Sequence, residues 1–337
     1  KSYNNYLGVL ISLINMDSES VFSIFEVGTN NFNEIKKLSL LILPQQVIIS
    51  NIYPTHLENF GNTRNVAVEK SHLMNPTYNP NVELVVLPNS NKDEIYLKEL
   101  AKKYSISSII TFGNQDQADY SIEKIEKNHN FLSKVTYKTP SRKIQFKTST
   151  SFKHQILNML ISIIVYDYNH LNIENFLDKT NNIPFIEGRG LFHNIIIGKK
   201  EVILIDESYN ASPVSIKNCI DYFENFEVNQ DQRKLIIIGE MLELGEMSQK
   251  FHREIITKVI KSSIDVIIFC GDIFKEVLIQ LNLESQKILH FSEELKILNF
   301  LNNNILKNDI ILAKGSNSSR INKLVKLLLE TKRENNC

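Results

Sequence analysis

Apolar positions along the chain fall into two patterns that alternate. Short unbroken runs, Val47 to Ser50, Glu83 to Leu87 and Ser107 to Phe112, read as strands buried on both faces. Apolar residues at helical spacing separate them: Tyr6 to Ile14 with Leu7, Leu10, Ile11 and Ile14 on one face, Asp93 to Tyr104, and His154 to Tyr166. Val21 to Val27 reads as a further strand ending at Gly28, and Asn33-Glu34-Ile35 as the lead into a short helix. Val135-Thr136-Tyr137 and Ile144-Gln145-Phe146 alternate with a period of two, the signature of an antiparallel hairpin. The first half therefore predicts a mainly parallel sheet with an antiparallel extension.

The pattern breaks from Ile183 to Gly190, where a hinge is expected. Beyond it, strands recur at Val202 to Ile205, Leu235 to Ile238, Val266 to Phe269 and Ile310 to Ala313. Helices lie between, such as Gln249 to Ile260, and an amphipathic helix carrying Ile321, Leu324, Val325 and Leu328 ends the chain. Strand–helix alternation of this kind predicts a doubly wound, Rossmann-like α/β domain.

Composition narrows the classes. The 337 residues are 42% hydrophobic and 23% charged, enough for two or three cores. Thirty-eight basic and 38 acidic side chains cancel, so no global field argues for nucleic acid. Cys219, Cys270 and Cys337 lack paired spacing, which suits a reducing cytoplasm. The longest apolar run, Met159 to Tyr166, is too short to span a bilayer, and no signal peptide is visible. No membrane insertion and a monomer are the expectations. The chain opens on Lys1 inside structured sequence and is read as incomplete or processed.

Candidate chemistry concentrates after the first buried run. In an open α/β sheet, ligands collect beyond the carboxyl ends of strands. Asn51 and His56 fall there, and Val66 to Lys70 reads as the start of a helix bringing an amine to the same edge. Singly these residues have ordinary explanations: a solvated strand-end glutamate, a structural histidine, a surface lysine. Glu26 adds a carboxylate that is costly to bury unless paired or bound to a cation.

Taken together, the motifs resemble those of the Mur ligases. Glu26-Val27-Gly28-Thr29-Asn30, Ser50 to Gly61 and Glu69-Lys70-Ser71 resemble the family's central domain. Leu204-Ile205-Asp206-Glu207-Ser208-Tyr209-Asn210-Ala211-Ser212-Pro213 is similar to D-D-x-Y-N-A-N-P, found in the member that adds D-alanyl-D-alanine. Ile238 to Glu246, His252-Arg253-Glu254 and Lys314-Gly315-Ser316 with Arg320 match that member too. The D-Y-A-H-x-P and D-N-P-R motifs of the sister ligase for the third amino acid are absent from the sequence.

The resemblance implies a central ATPase-type domain over 1–188, incomplete at its N-terminus, and a C-terminal domain over 189–337. It implies ATP-dependent joining of D-alanyl-D-alanine to UDP-N-acetylmuramoyl-tripeptide through an acyl phosphate, in the cytoplasm, with Mg2+. Glu26 and His56 correspond to metal ligands, and Lys70 to a lysine that CO2 converts to a carbamate able to hold metal. Asn51 corresponds to a γ-phosphate neighbour. His154 and Asn158 match H-N-x-x-N with Gln155 in place of an asparagine, and Asn158 would face adenine. Arg189 corresponds to a hinge arginine that contacts ATP, Asp206 to the ribose contact, and Tyr209 and Asn210 continue that loop. Lys314 and Ser316 either hold the dipeptide carboxylate or cap a helix.

No P-loop, G-x-x-x-x-G-K-[ST], occurs in the 337 residues. The expected activity is therefore that of a longer ligase of which this is part. A non-catalytic remnant that binds nucleotide or dipeptide, and a related Mur or folylpolyglutamate-type ligase, are the alternatives.

Overall fold

The computed structural model describes residues 3–114, 117–127, 133–150, 152–180, 186–283, 285–316 and 319–334. The chain divides into two compact units, Lys1–Ile183 and Pro184–Cys337. The hinge expected from Ile183 lies partly outside the described residues, which resume at 186.

In the first unit the order is α1 (Tyr6–Ile14), α2 (Glu34–Ile42), β1 (Gln46–Ile48), α3 (Leu57–Phe60), α4 (Thr63–Ser71), β2 (Leu84–Pro88), α5 (Lys92–Lys103) and β3 (Ser108–Gly113). Then come β4 (Tyr120–Lys127), β5 (Ser133–Lys138), β6 (Lys143–Thr148), α6 (Lys153–Tyr168) and α7 (Glu174–Leu177). The strands form one sheet in sequence order, parallel from β1 to β4 and antiparallel from β4 to β6. Strand β2 shows why its run is wholly apolar. Leu84 and Val86 enter a core with Ile156, Leu160 and Ile163 of α6, while Val85 and Leu87 enter another with Ala67, Leu97 and Ala101. Helix α5 starts at Lys92 because Asn91 and Glu94 close a capping box.

The second unit runs β7 (Leu191–Ile197), β8 (Lys200–Glu207), α8 (Pro213–Glu224), β9 (Lys234–Gly239), α9 (Ser248–Ile260), β10 (Val266–Cys270) and α10 (Asp272–Leu281). It ends with β11 (Ile288–Phe291), α11 (Glu294–Asn304), β12 (Ile310–Lys314) and α12 (Arg320–Glu334). The sheet order is β11-β10-β9-β12-β8-β7, parallel except for β7, which folds back on β8. After β8 the chain skips a position to β9, moves outward to β11, and returns to fill the gap with β12. The carboxyl ends of β8, β12 and β9 thus lie side by side, with Lys314 in register with Glu207 and Ile238. This is a topological switch point, where open α/β sheets receive ligands. The mainly parallel sheet and the doubly wound second domain are both as the sequence leads one to expect.

Several expectations change. Val21 to Val27 forms no strand, and Val21 and Ile24 are 87% and 92% exposed. A run rich in β-branched and aromatic residues favours a strand, yet a strand also needs a neighbour for its ladder, and the end of this segment is instead held by Gly28 N–H donating to the Asn4 carbonyl at 2.9 Å. The apolar stripe of α1 is likewise uncovered, with Leu7, Ile11 and Ile14 all exposed. Helix α4 begins at Thr63, capped by Asn62, so Lys70 sits in its last turn and not near its start.

Candidate active site

In the first unit, helix α4 carries Lys70. Its first turn is fixed to α5 by Thr63 Oγ1 donating to Asp93 at 2.5 Å and by an Arg64–Asp93 ion pair at 3.0 Å. Near its end, buried Glu69 accepts the backbone N–H groups of Asn33 and Ile35, both at 2.8 Å. That carboxylate supplies the donors at the start of α2 with an acceptor, which Asn33, in the left-handed region, does not.

Lys70 Nζ donates to the Asn51 carbonyl at 2.9 Å, so the amine and the loop after β1 are brought together. Burial pushes the Lys70 amine down to about 8, with the Glu94 carboxylate opposing the shift. Glu94 in turn accepts from the Ser90, Asn91 and Ile52 amides, fixing the start of α5 beside the same loop.

His56 adopts φ 53° and its carbonyl accepts the Asn59 and Phe60 amides, closing α3. Asn59 Nδ2 donates to the Asn30 carbonyl at 2.9 Å, and Phe32 packs edge-on against Phe60 at 5.0 Å. The loop that follows Glu26 and the turn that carries His56 are thereby joined. Glu26 itself is exposed and accepts from Asn4 Nδ2 at 2.8 Å. Glu34 organises the intervening backbone: burial raises its pKa, but hydrogen bonds from Asn31, Asn30 and Thr29 outweigh this and hold the carboxyl below its usual range. His154 and Asn158 lie one turn apart on α6, with Asn158 exposed and the His154 ring 5.6 Å from Phe152.

The second unit gathers the remaining candidates at the switch point. Asp206 Oδ2 accepts the Gly188 amide at 3.0 Å, and Oδ1 accepts the amide and hydroxyl of Ser208 at 3.0 and 2.7 Å. Its backbone carbonyl takes the Gly190 N–H at 2.7 Å. The Gly188-Arg189-Gly190 turn is therefore built around one buried carboxylate. Gly188, at φ +75°, faces the Tyr209 backbone so closely that a Cβ would stand 2.8 Å from it. Arg189 lies over the Tyr209 ring at 4.3 Å. Lys314 Nζ contacts Glu207 at 3.1 Å and donates to the Asn210 carbonyl at 2.6 Å. Ser316 Oγ donates to the Glu240 carbonyl at 3.2 Å. Glu240 then caps α10 through the Ile273 amide at 2.7 Å, over a Gly271 that has no room for a side chain.

Sequence reasoning gave no role to Glu69, Glu94 or Glu207, all buried carboxylates. Glu207 carried a signal: it directly follows Asp206 at the end of an apolar strand, where an unpaired charge is costly.

Among the described residues no three His, Cys, Asp or Glu side chains converge as a metal site. Glu26 and His56 would offer an oxygen and a nitrogen donor, with Lys70 as the nominated third. As an ammonium Lys70 repels a cation; as a carbamate it offers the oxygen that magnesium prefers. The two oxygen donors would then suit magnesium, with the His56 nitrogen an unusual ligand for it.

Family models place the chain. Residues 1–166 match the Mur ligase middle domain and residues 194–317 match the Mur ligase glutamate ligase domain. The chain belongs to the Mur ligase family. It is similar to the UDP-N-acetylmuramoyl-tripeptide–D-alanyl-D-alanine ligase of Rickettsia prowazekii, 27% identical over 336 residues, 96% of this chain and 70% of that protein. Among solved structures, MurF from Acinetobacter baumannii superposes with a TM-score of 0.83 at 20% identity, covering 98% of this chain and 69% of that one. A MurF ligase from Thermotoga maritima in complex with ADP gives 0.79 at 20% identity, covering 97% and 71%.

Proposed function

We propose that the chain contributes the central and C-terminal domains of a ligase that joins D-alanyl-D-alanine to UDP-N-acetylmuramoyl-tripeptide at the expense of ATP. The observation that carries this reading is the 96% of the chain that aligns with a ligase of that name. The prepared loop at the switch point supports it.

The tripeptide's terminal carboxylate attacks the γ-phosphorus, the bond to the bridging oxygen breaks, and ADP leaves. The dipeptide amine then attacks the acyl-phosphate carbonyl, loses a proton and expels inorganic phosphate. Such chemistry depends on positioning and on neutralising charge. By correspondence with the family, Asn51 would face the γ-phosphate, His154 and Asn158 adenine, Arg189 the phosphates, and Asp206 with Tyr209 and Asn210 the ribose. Glu26, His56 and, once carbamylated, Lys70 would hold magnesium, which would supply neutralisation of phosphate charge. The low Lys70 pKa favours the modification, because the neutral amine adds to CO2 and releases one proton. The nucleotide-linked substrate and ATP place the reaction in the cytoplasm, as part of peptidoglycan precursor synthesis.

Phosphate release from ATP, measured with the UDP-tripeptide and a panel of amines, tests the reading. Release that requires D-alanyl-D-alanine supports it. Release with glutamate and not with the dipeptide assigns a folylpolyglutamate-type ligase, and binding without release assigns a non-catalytic chain.

A further inference from the structure

We propose that Lys314 is a positioning residue: its amine pins the Asn210 carbonyl, fixing the Ser208–Ala211 loop with the Tyr209 ring against Arg189. The consequence for nucleotide binding rests on the ligase reading above; the pinning itself does not.

Lys314 ends β12 directly opposite Glu207 on β8. Both side chains are 5% exposed and their charged atoms lie 3.1 Å apart. The Glu207 carboxylate already answers the ammonium, and separating such a pair leaves a buried uncompensated charge. An incoming carboxylate would have to displace Glu207 to claim this lysine. Cys219, reaching in from α8, donates its thiol to the same Glu207 oxygen at 3.7 Å, and burial, with the Glu207 charge, raises its pKa. The lysine's second partner, the Asn210 carbonyl at 2.6 Å, belongs to the loop.

That loop is held at both ends. Ser208 is tied to Asp206, and Ser212 closes a capping box with Ser215 at the start of α8. Between them, the Tyr209 amide donates to the Gly188 carbonyl at 3.1 Å and Lys314 takes Asn210. A slack middle would let the Tyr209 ring leave Arg189. Lys314 is therefore matched to the nucleotide side of the site and not to the dipeptide carboxylate.

Amide hydrogen exchange on the 337-residue chain tests the pinning, comparing wild type with Lys314→Met and with the double variant Lys314→Met/Glu207→Gln, which leaves no buried charge behind. The expected result is exchange at Tyr209–Ala211 faster by about tenfold in both variants, with β9 and β10 unchanged. Unchanged protection in both, or protection restored in the double variant, overturns the proposal. Calorimetric titrations of the natural protein and of the same variants made in it, with a non-hydrolysable ATP analogue and with D-alanyl-D-alanine, supply the functional readout. Weakened nucleotide binding with dipeptide binding intact agrees with positioning, whereas loss of dipeptide binding alone makes Lys314 a substrate ligand and overturns it. If wild type binds neither ligand, the ligase reading fails while the exchange data still decide the pinning.

Discussion

The Lys70 amine lies 2.9 Å from the Asn51 carbonyl, and its pKa is depressed to about 8. Near neutral pH a useful fraction is therefore uncharged, where an ordinary lysine amine is almost entirely protonated. In the natural protein, Lys70→Ala is expected to abolish most ATP-dependent turnover. Partial rescue by short carboxylic acids would identify the missing group as a carbamate, and undiminished turnover in the variant would refute its role.

The same shift bears on stability. The folded pKa of about 8 lies below the ordinary lysine value of 10.5, so the unfolded chain holds more protons between those values. Lys70 therefore costs stability in full below pH 8, and the cost is relieved as pH rises from about 8 to 10.5. Denaturant midpoints of wild type and Lys70→Met, compared across that range, should converge as pH rises. A constant gap would contradict the buried-amine account.

Glu69 links α4 to α2 by two charge-assisted hydrogen bonds of 2.8 Å. Glu69→Ala leaves two amides without their acceptor and is expected to cost about 2–3 kcal/mol, measured by chemical unfolding. Because α2 follows the Glu26 loop, the variant should also weaken magnesium-dependent turnover more than a stability loss alone explains.

His252 is buried and accepts the Met241 amide on Nε2 at 3.2 Å, while Nδ1 donates to the Ser248 carbonyl at 2.7 Å. Burial lowers its pKa, with the Ser248 carbonyl opposing. The sign is that of a histidine held neutral: stability is present above the unfolded value of 6.5 and lost as pH falls through it. Unfolding midpoints should fall from pH 7.5 to 5.5 by more in wild type than in His252→Gln, and equal slopes would contradict this.

Leu7, Ile11 and Ile14 form an exposed stripe on α1 near exposed Val21 and Ile24 in sequence. Contiguous apolar surface of this kind promotes association. Replacing the three α1 residues by glutamine should reduce concentration-dependent self-association of the 337-residue chain in light scattering, leaving the unfolding midpoint within about 1 kcal/mol of wild type.

Much of this architecture is legible in the sequence because buried parallel strands announce themselves. Leu235 and Ile237 enter one core and Ile236 and Ile238 are buried as well, so every position is apolar. Strands β4, β7 and β11 were not anticipated. β4 mixes Glu123, Lys124 and Glu126 with Ile122 and Ile125, and β7 begins beyond the hinge as an antiparallel edge. Charge on β4 masks the pattern, while the four-residue β11 (Ile288–Phe291) is too short to show one. Val21 to Val27 errs the other way, since β propensity cannot supply a neighbouring strand. At the site, motif matching found Asp206, Tyr209, Asn210 and Lys314, which the fold brings to one corner. It could not show that Asp206 is occupied by Gly188 and Ser208, or Lys314 by Glu207, because those partners come from register and turn geometry.

The most direct test of the account is the mass of the UDP-tripeptide after incubation with the natural protein, ATP, magnesium and D-alanyl-D-alanine. The account predicts addition of one dipeptide, less one water, with one phosphate released per amide formed. Phosphate release without that product, or an unchanged UDP-tripeptide while ATP and dipeptide bind, would contradict it.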